Sequence, residues 1–231
     1  MQQPDLEELQ KKLDITDAAI QLYVAQDGVF NLHQVARKTE QTVEAIFDLF
    51  PDKESILHFF YTSLVIRYRL MTSEIEDFDS YTLSEKLSNF AYASFDMLKE
   101  RQAFVEATFG PMILYSCTKT DYEDRIEQLL VHFFKNDSKA ASSSSLFLNR
   151  YFFTFIKQKY LWLVAFWLKD NSPDKAKSME LTDKAAGLIQ EMMYTSVIDR
   201  SIDLAKFAYA NKPACTQLPL WDKITSTFEI R

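Results

Sequence analysis

Three glycines and six prolines in 231 residues leave this chain few places to reverse direction tightly. A sandwich or barrel needs a turn roughly every eight to twelve residues, and tight hairpin turns draw heavily on glycine. The scarcity therefore points to long helices. Apolar residues make up 47% of the chain, with 19 Phe, 11 Tyr and 3 Trp, enough to bury a core and too many for disorder over most of the length. The length suits one or two domains.

Hydrophobic spacing supports the same fold class. Ile15, Ala18, Ala19, Leu22 and Tyr23 form one helical stripe inside a first helix over 5–26. Gly28 follows as a helix stop, and Asn31 with Gln34 resembles a capping box opening a second helix over 32–39. Leu57, Phe60, Tyr61, Leu64, Val65 and Tyr68 keep helical register within 52–77, as do Leu83, Leu87, Phe90, Ala91, Phe95 and Leu98 within 82–99. Residues 101–117 are apolar but interrupted by Gly110-Pro111, which predicts a short helix, a kink and a further turn. Further helices are expected over 120–135, 146–169 and 179–210, with a linker at the Ser-rich stretch 136–145 and a tail over 211–231. On the last long helix, Ala185, Leu188, Ile189, Met192, Met193 and Ser196 are read as one stripe.

Residues 35–57, VARKTEQTVEAIFDLFPDKESIL, carry the most information. They read as a short helix, a tight turn, a second short helix over 42–49, and then a long helix. Pro51 ends the second helix at about Phe50, and Asp52 offers an N-cap to the next. Two short helices so joined make a helix-turn-helix, whose second helix enters the major groove in proteins that bind DNA.

Ile15-Thr16-Asp17-Ala18-Ala19-Ile20-Gln21-Leu22-Tyr23, Gly28, Val35-Ala36, Thr42, Ile46-Phe47, Phe50-Pro51 and Lys53-Glu54 fall in the order seen in the tetracycline-repressor (TetR) family of bacterial regulators. The resemblance covers roughly residues 13–60. It implies an all-α protein: a three-helix helix-turn-helix domain over 1–51, then a helical ligand-binding and dimerisation domain over 52–231. It also implies a cytoplasmic homodimer that binds operator DNA and releases it when a small hydrophobic effector binds.

On that resemblance the DNA-facing candidates are Arg37, Lys38, Thr42, Val43, Ala45, Phe47 and Lys53. The electrostatics resist it. Residues 1–60 hold five Lys or Arg against eleven Asp or Glu, and the whole chain carries a net charge of −7, whereas phosphate binding needs a basic face. Glu40 stands where the family commonly has a turn glycine, Val43, Glu44 and Ala45 where it often has Lys, Gly and Thr, and Phe47 and Leu49 where it often has Tyr and His. The alternative is a protein of TetR-like fold that has lost its operator and binds or carries a hydrophobic molecule or lipid.

Aromatic residues on both sides of the Gly-Pro kink make an apolar pocket plausible: Phe104, Phe109, Met112 and Tyr115 before or within it, Phe152, Phe155, Trp162 and Phe166 on the aromatic helix. The dimer face is expected on the last two long helices, with Met192, Met193 and Val197 in the interface. Catalysis is not expected. His33, His58 and His132 lie on separate segments without metal-ligand spacing, Cys117 and Cys215 are far apart, and three glycines make no phosphate loop. No cofactor or metal is implied. The polar start of the chain does not read as a signal peptide, and Arg150, Lys157 and Lys159 interrupt the one long apolar stretch, so no membrane span is expected.

Overall fold

The computed structural model describes residues 6–137, 139–140 and 148–195. Among these residues the regular structure is helical throughout: α1 (Leu6–Ala25), α2 (Leu32–Lys38), α3 (Val43–Leu49), α4 (Lys53–Ser73), α5 (Leu83–Lys99), α6 (Gln102–Phe109), α7 (Asp121–Lys135), α8 (Arg150–Lys169) and α9 (Ala176–Tyr194). Short 3₁₀ turns at Phe78–Ser80 and Pro173–Lys175 and a π-helical turn at Gly110–Leu114 punctuate them.

The helices begin where side chains satisfy the orphan N–H groups of a first turn. Thr42 accepts from the Ala45 N–H to open α3, and Asn149 accepts from the Phe152 N–H to open α8. Asp52 with Ser55, Thr82 with Glu85 and Thr120 with Glu123 form reciprocal capping boxes for α4, α5 and α7. The box expected at α2 does not form. Asn31 accepts from the His33 N–H, but the Gln34 side chain instead accepts from Gln26.

Three turns among the described residues use left-handed backbone: those at Asp27–Gly28, at Glu40 and at Asp174–Lys175. After α1, Gly28 sits at φ +90° and its N–H donates to the Tyr23 carbonyl at 2.8 Å; a Cβ there would find room beside the Tyr23 ring, so it is the backbone conformation that favours glycine. Between α2 and α3 the same conformation falls on Glu40, at φ +54°. Its neighbour Gln41 donates back to the Ala36 carbonyl at 3.0 Å. A residue with a Cβ holds this conformation at a cost glycine avoids.

One hydrophobic core runs through the described helices. Ile15, Ala18 and Ala19 of α1 meet Val35 and Ala36 of α2, Ile46 of α3, and Ile56, Leu57 and Phe60 of α4. Phe104 of α6 joins this unit to the body, with its ring edge-to-face against Tyr23 and Phe60 at 5.6 and 5.4 Å. In the body, α4 packs on α7 and α5 on α9. The expected stripes of α4 and α5 are buried as read, except that Leu87 is only half-buried.

Two elements differ from their sequence reading. α4 ends at Ser73 rather than 77, where Thr72 and Ser73 turn their hydroxyls onto the carbonyls of Tyr68, Arg69 and Leu70 and compete with helix continuation. On α9 the stripe read from sequence divides between the faces, with Ala185 half-buried and Ile189 packed on the core. Ser178, Thr182, Ala186 and Met193 are the buried positions, whereas Leu188 and Met192 are exposed. Small inner side chains let α9 approach α5 closely. The rest of the 179–210 helix, the tail and most of the linker lie outside the described residues.

Candidate functional site

Arg37, Lys38, Thr42, Phe47 and Lys53 all stand on the exposed surface of the α2–α3 unit. Thr42 is engaged as the α3 N-cap, its Oγ1 3.1 Å from the Ala45 nitrogen. Lys38 donates to the Gln21 side chain of α1, and the Lys53 ammonium lies 4.3 Å from the centre of the Phe30 ring, a favourable cation–π placement. Val43 and Ala45 are half-buried, and Val43 packs on the core, which draws its side chain inward. The same surface exposes Glu40, Glu44 and Asp48. The last two lie one turn apart on α3, so the helix that would enter a groove carries like charges on one face.

The residues expected to wall an apolar pocket are not brought together. Phe104 and Phe109 are fully packed core. Met112 is half-buried in the π-helical turn, and Tyr115 is 74% exposed beyond it. Phe152 packs edge-to-face on Phe134 at 5.2 Å. Phe155, Trp162 and Phe166 point outward, between 42% and 63% exposed, in line with Tyr151. Their spacing of four, seven and four residues puts them on one outer face, while Phe153, Ile156, Tyr160, Leu161, Val164 and Trp167 face the core. The sequence marks α8 as a long apolar helix, but aromatic residues all round it do not say which face is inner.

α9 has a matching outer row of Leu181, Leu188 and Met192. Of the expected interface residues, Met192 is exposed, Met193 is buried within its own subunit at 5% exposure, and Val197 lies outside the described residues.

A site that the sequence reading did not assemble lies between the 116–119 turn, α7 and the first half of α8. There a cavity of about 220 Å³ is lined by Lys119, Glu123, Glu127, Arg150, Thr154 and Lys157 together with Ser116, Cys117 and Thr118. Lys157 is buried, with its ammonium 2.9 Å from Glu123 Oε1 and 3.1 Å from Glu127 Oε1. Lys119 donates to Glu127 Oε2 at 2.6 Å and also pairs with Asp124. Burial pushes the Glu127 carboxyl up, but the two lysines outweigh it and hold it below the usual carboxylate range. The hydrogen bond to Asp124, then that to Glu127, pushes Lys119 up. The sequence held a signal for this site: a lysine inside an apolar helix needs a buried partner, and Glu123 and Glu127 are spaced one turn apart to supply two.

A larger cleft of about 370 Å³ lies where the end of α4 and the Phe78 turn meet α7, with Ile75, Phe78, Leu129 and Phe133 as its apolar wall and Arg69, Glu76, Asp79 and His132 among its polar groups. Among the described residues no group of His, Cys, Asp and Glu is arranged to hold a metal, and no helix is long and apolar enough to cross a membrane.

The α5–α9 body is the part whose sequence carried no motif, and it decides the family. A family model described as tetracyclin repressor-like, C-terminal domain, matches residues 86–208, more than half of the chain. The chain belongs to the TetR family. No curated protein matches it. The match falls outside the 13–60 stretch that carries the helix-turn-helix motif, so two separate parts of the chain agree on one family. Membership makes this a TetR-type regulator, in a family whose members are generally not enzymes.

Proposed function

We propose that this TetR protein is a dimeric transcriptional regulator that binds operator DNA through α2 and α3 and answers to a small effector held in its helical body. The observation that carries the reading is the α2–α3 unit. It keeps its capped helices, its buried Val35–Ala36–Ile46 seam and an exposed cationic set of Arg37, Lys38 and Lys53. We place the division of labour at about residue 51, where Pro51 separates the DNA-reading helices from α4.

The outer rows of α8 and α9, Phe155, Trp162 and Phe166 with Leu188 and Met192, support a two-fold interface there. Exposed apolar rows on adjacent helices are costly in water and invite a partner. A ligand would act by favouring the subunit arrangement in which the two α3 helices are wrongly spaced for half-sites one DNA turn apart.

The second reading, a TetR-fold binding module without an operator, is favoured by the exposed Glu40, Glu44 and Asp48 on the reading surface. Selection of genomic fragments on the purified dimer, with DNA upstream of its own gene included, separates the two. Recovery of one enriched sequence at low salt supports the regulator. No enrichment at any salt supports the binding module.

A further inference from the structure

We propose that the cavity between the 116–119 turn, α7 and α8 is the effector site, and that its ligand is a small organic oxyanion rather than an apolar molecule. The proposal rests on the regulator reading above and names the ligand class for it.

Donor and acceptor capacity make the case. An ammonium offers three donors and a guanidinium five. Lys157 spends two on Glu123 and Glu127, and Lys119 spends two on Asp124 and Glu127, leaving one on each. Arg150 lines the same cavity and forms no ion pair with a described residue, so its planar fork is uncommitted. Both oxygens of each glutamate carboxylate are already engaged by a donor. Glu123 closes the α7 capping box with Oε2 at 3.0 Å from the Thr120 nitrogen, and Glu127 also accepts from the Thr154 hydroxyl at 3.2 Å. The Arg150 guanidinium and the remaining ammonium N–H groups are the uncommitted cationic donors among the lining residues, and their complement is a carboxylate or phosphoryl group, which an Arg fork binds in two-pronged fashion.

Size and position narrow the ligand further. About 220 Å³ is below the range of sites for drug-sized apolar ligands, roughly 300–1,000 Å³, and matches a metabolite of a few carbons. The lip of the cavity at 116–119 directly follows the π-helical turn Gly110–Leu114, which continues α6. π turns are strained insertions that often mark functional positions. The opposite end of α6 carries Arg101, bonded to Asp17 of α1 at 2.6 Å. A ligand that drew Lys119 inward would therefore pull on the helix that seats against the DNA-reading unit.

The test is calorimetric titration of the full-length protein with a panel of C3–C6 mono- and dicarboxylates and C3–C6 sugar phosphates, beside apolar compounds of similar size. Saturable binding by a member of either oxyanion arm, weakened at least tenfold in Arg150→Ala, is expected, and the arm that binds identifies carboxylate or phosphoryl chemistry. Arg150 is exposed, so its variant folds even where Lys157→Met does not. Binding by apolar compounds alone, by no member of the panel, or equally well in Arg150→Ala overturns the proposal. Operator binding measured on the same samples keeps the two readings apart: oxyanion binding without DNA binding leaves the site standing and removes the regulator.

Discussion

Arg101, immediately before α6, donates from Nε to Oδ1 of Asp17 in α1 at 2.6 Å, with its Nη2 on the same oxygen, across 84 positions of sequence. Beside it Phe104 lies between Tyr23 and Phe60, and Arg67 pairs with Glu100 through both guanidinium nitrogens at 3.1 and 3.2 Å. The helix-turn-helix unit is thus fastened to the body at the start of α6 by one packed ring and one ion pair, while the Arg67–Glu100 pair ties α4 to the end of α5. Asp17 belongs to the stretch resembling the TetR family, but nothing in that stretch names a partner outside it.

Both groups of the Arg101–Asp17 pair are more than a third exposed, so solvent screens the pair and its contribution to stability is small, about 0.5 kcal/mol. Asp17→Asn is therefore expected to leave the denaturation midpoint almost unchanged while weakening the ligand's effect on DNA affinity severalfold. Urea unfolding and operator titrations with and without ligand check both halves. An unaltered ligand response removes the pair from the coupling route.

Glu40 occupies a left-handed turn position between α2 and α3. Glu40→Gly relieves the Cβ conflict and is expected to stabilise the protein by roughly 0.5–1 kcal/mol, glycine's greater unfolded-state freedom offsetting part of the gain. It also removes a carboxylate from the reading surface, so DNA affinity at low salt should rise. Thermal unfolding and operator titration measure the two effects, and a lower midpoint contradicts the strain argument.

Lys157 and its carboxylates are the costliest polar group to disrupt. Lys157→Met leaves Glu123 and Glu127 facing each other without their shared cation, and a loss of about 3 kcal/mol is expected. Acid should act at the same place. The folded carboxyl of Glu127 is held below its ordinary range, so its contribution is present above the unfolded value of about 4.3 and is lost as pH falls through the lower folded one. Stability measured from pH 6 to pH 3 should fall less steeply in Glu127→Gln than in the parent. Parallel curves contradict this.

The outer rows of α8 and α9 yield a prediction about assembly. Trp162, 63% exposed, is expected to lie in the two-fold interface, and Trp162→Glu should convert a sedimenting dimer into a monomer with unchanged helical circular dichroism. A parent protein that sediments as a monomer contradicts the interface.

The sequence made legible whatever depends on local pattern. Pro51 and Asp52 marked the α3–α4 junction to within a residue, and Gly110-Pro111 marked the break after α6. It was poor on what depends on which side of a helix meets another. The aromatics of α8 have two faces of similar apolarity, and only packing, as of Trp167 on Phe95 of α5, shows that Trp167 is inner and Trp162 outer. On α9 the inner face is mostly small or polar, Ser178, Thr182 and Ala186 with Met193, so the apolar stripe caught only Met193 among the buried positions. Lys157 was legible as an interruption of an apolar helix, but its partners lie some thirty positions earlier, on α7.

The central claim is that α2 and α3 still bind DNA despite their acidity, and the salt dependence of operator affinity tests it most directly. On the proposed reading the exposed Arg37, Lys38 and Lys53 would each neutralise one phosphate, six in a dimer, so log affinity against log salt should fall with a slope of about −5. Arg37→Ala, which removes one cation from each protomer, should flatten that slope by about 2. Affinity that is absent at low salt, or a slope that Arg37→Ala leaves unchanged, contradicts DNA binding through this surface.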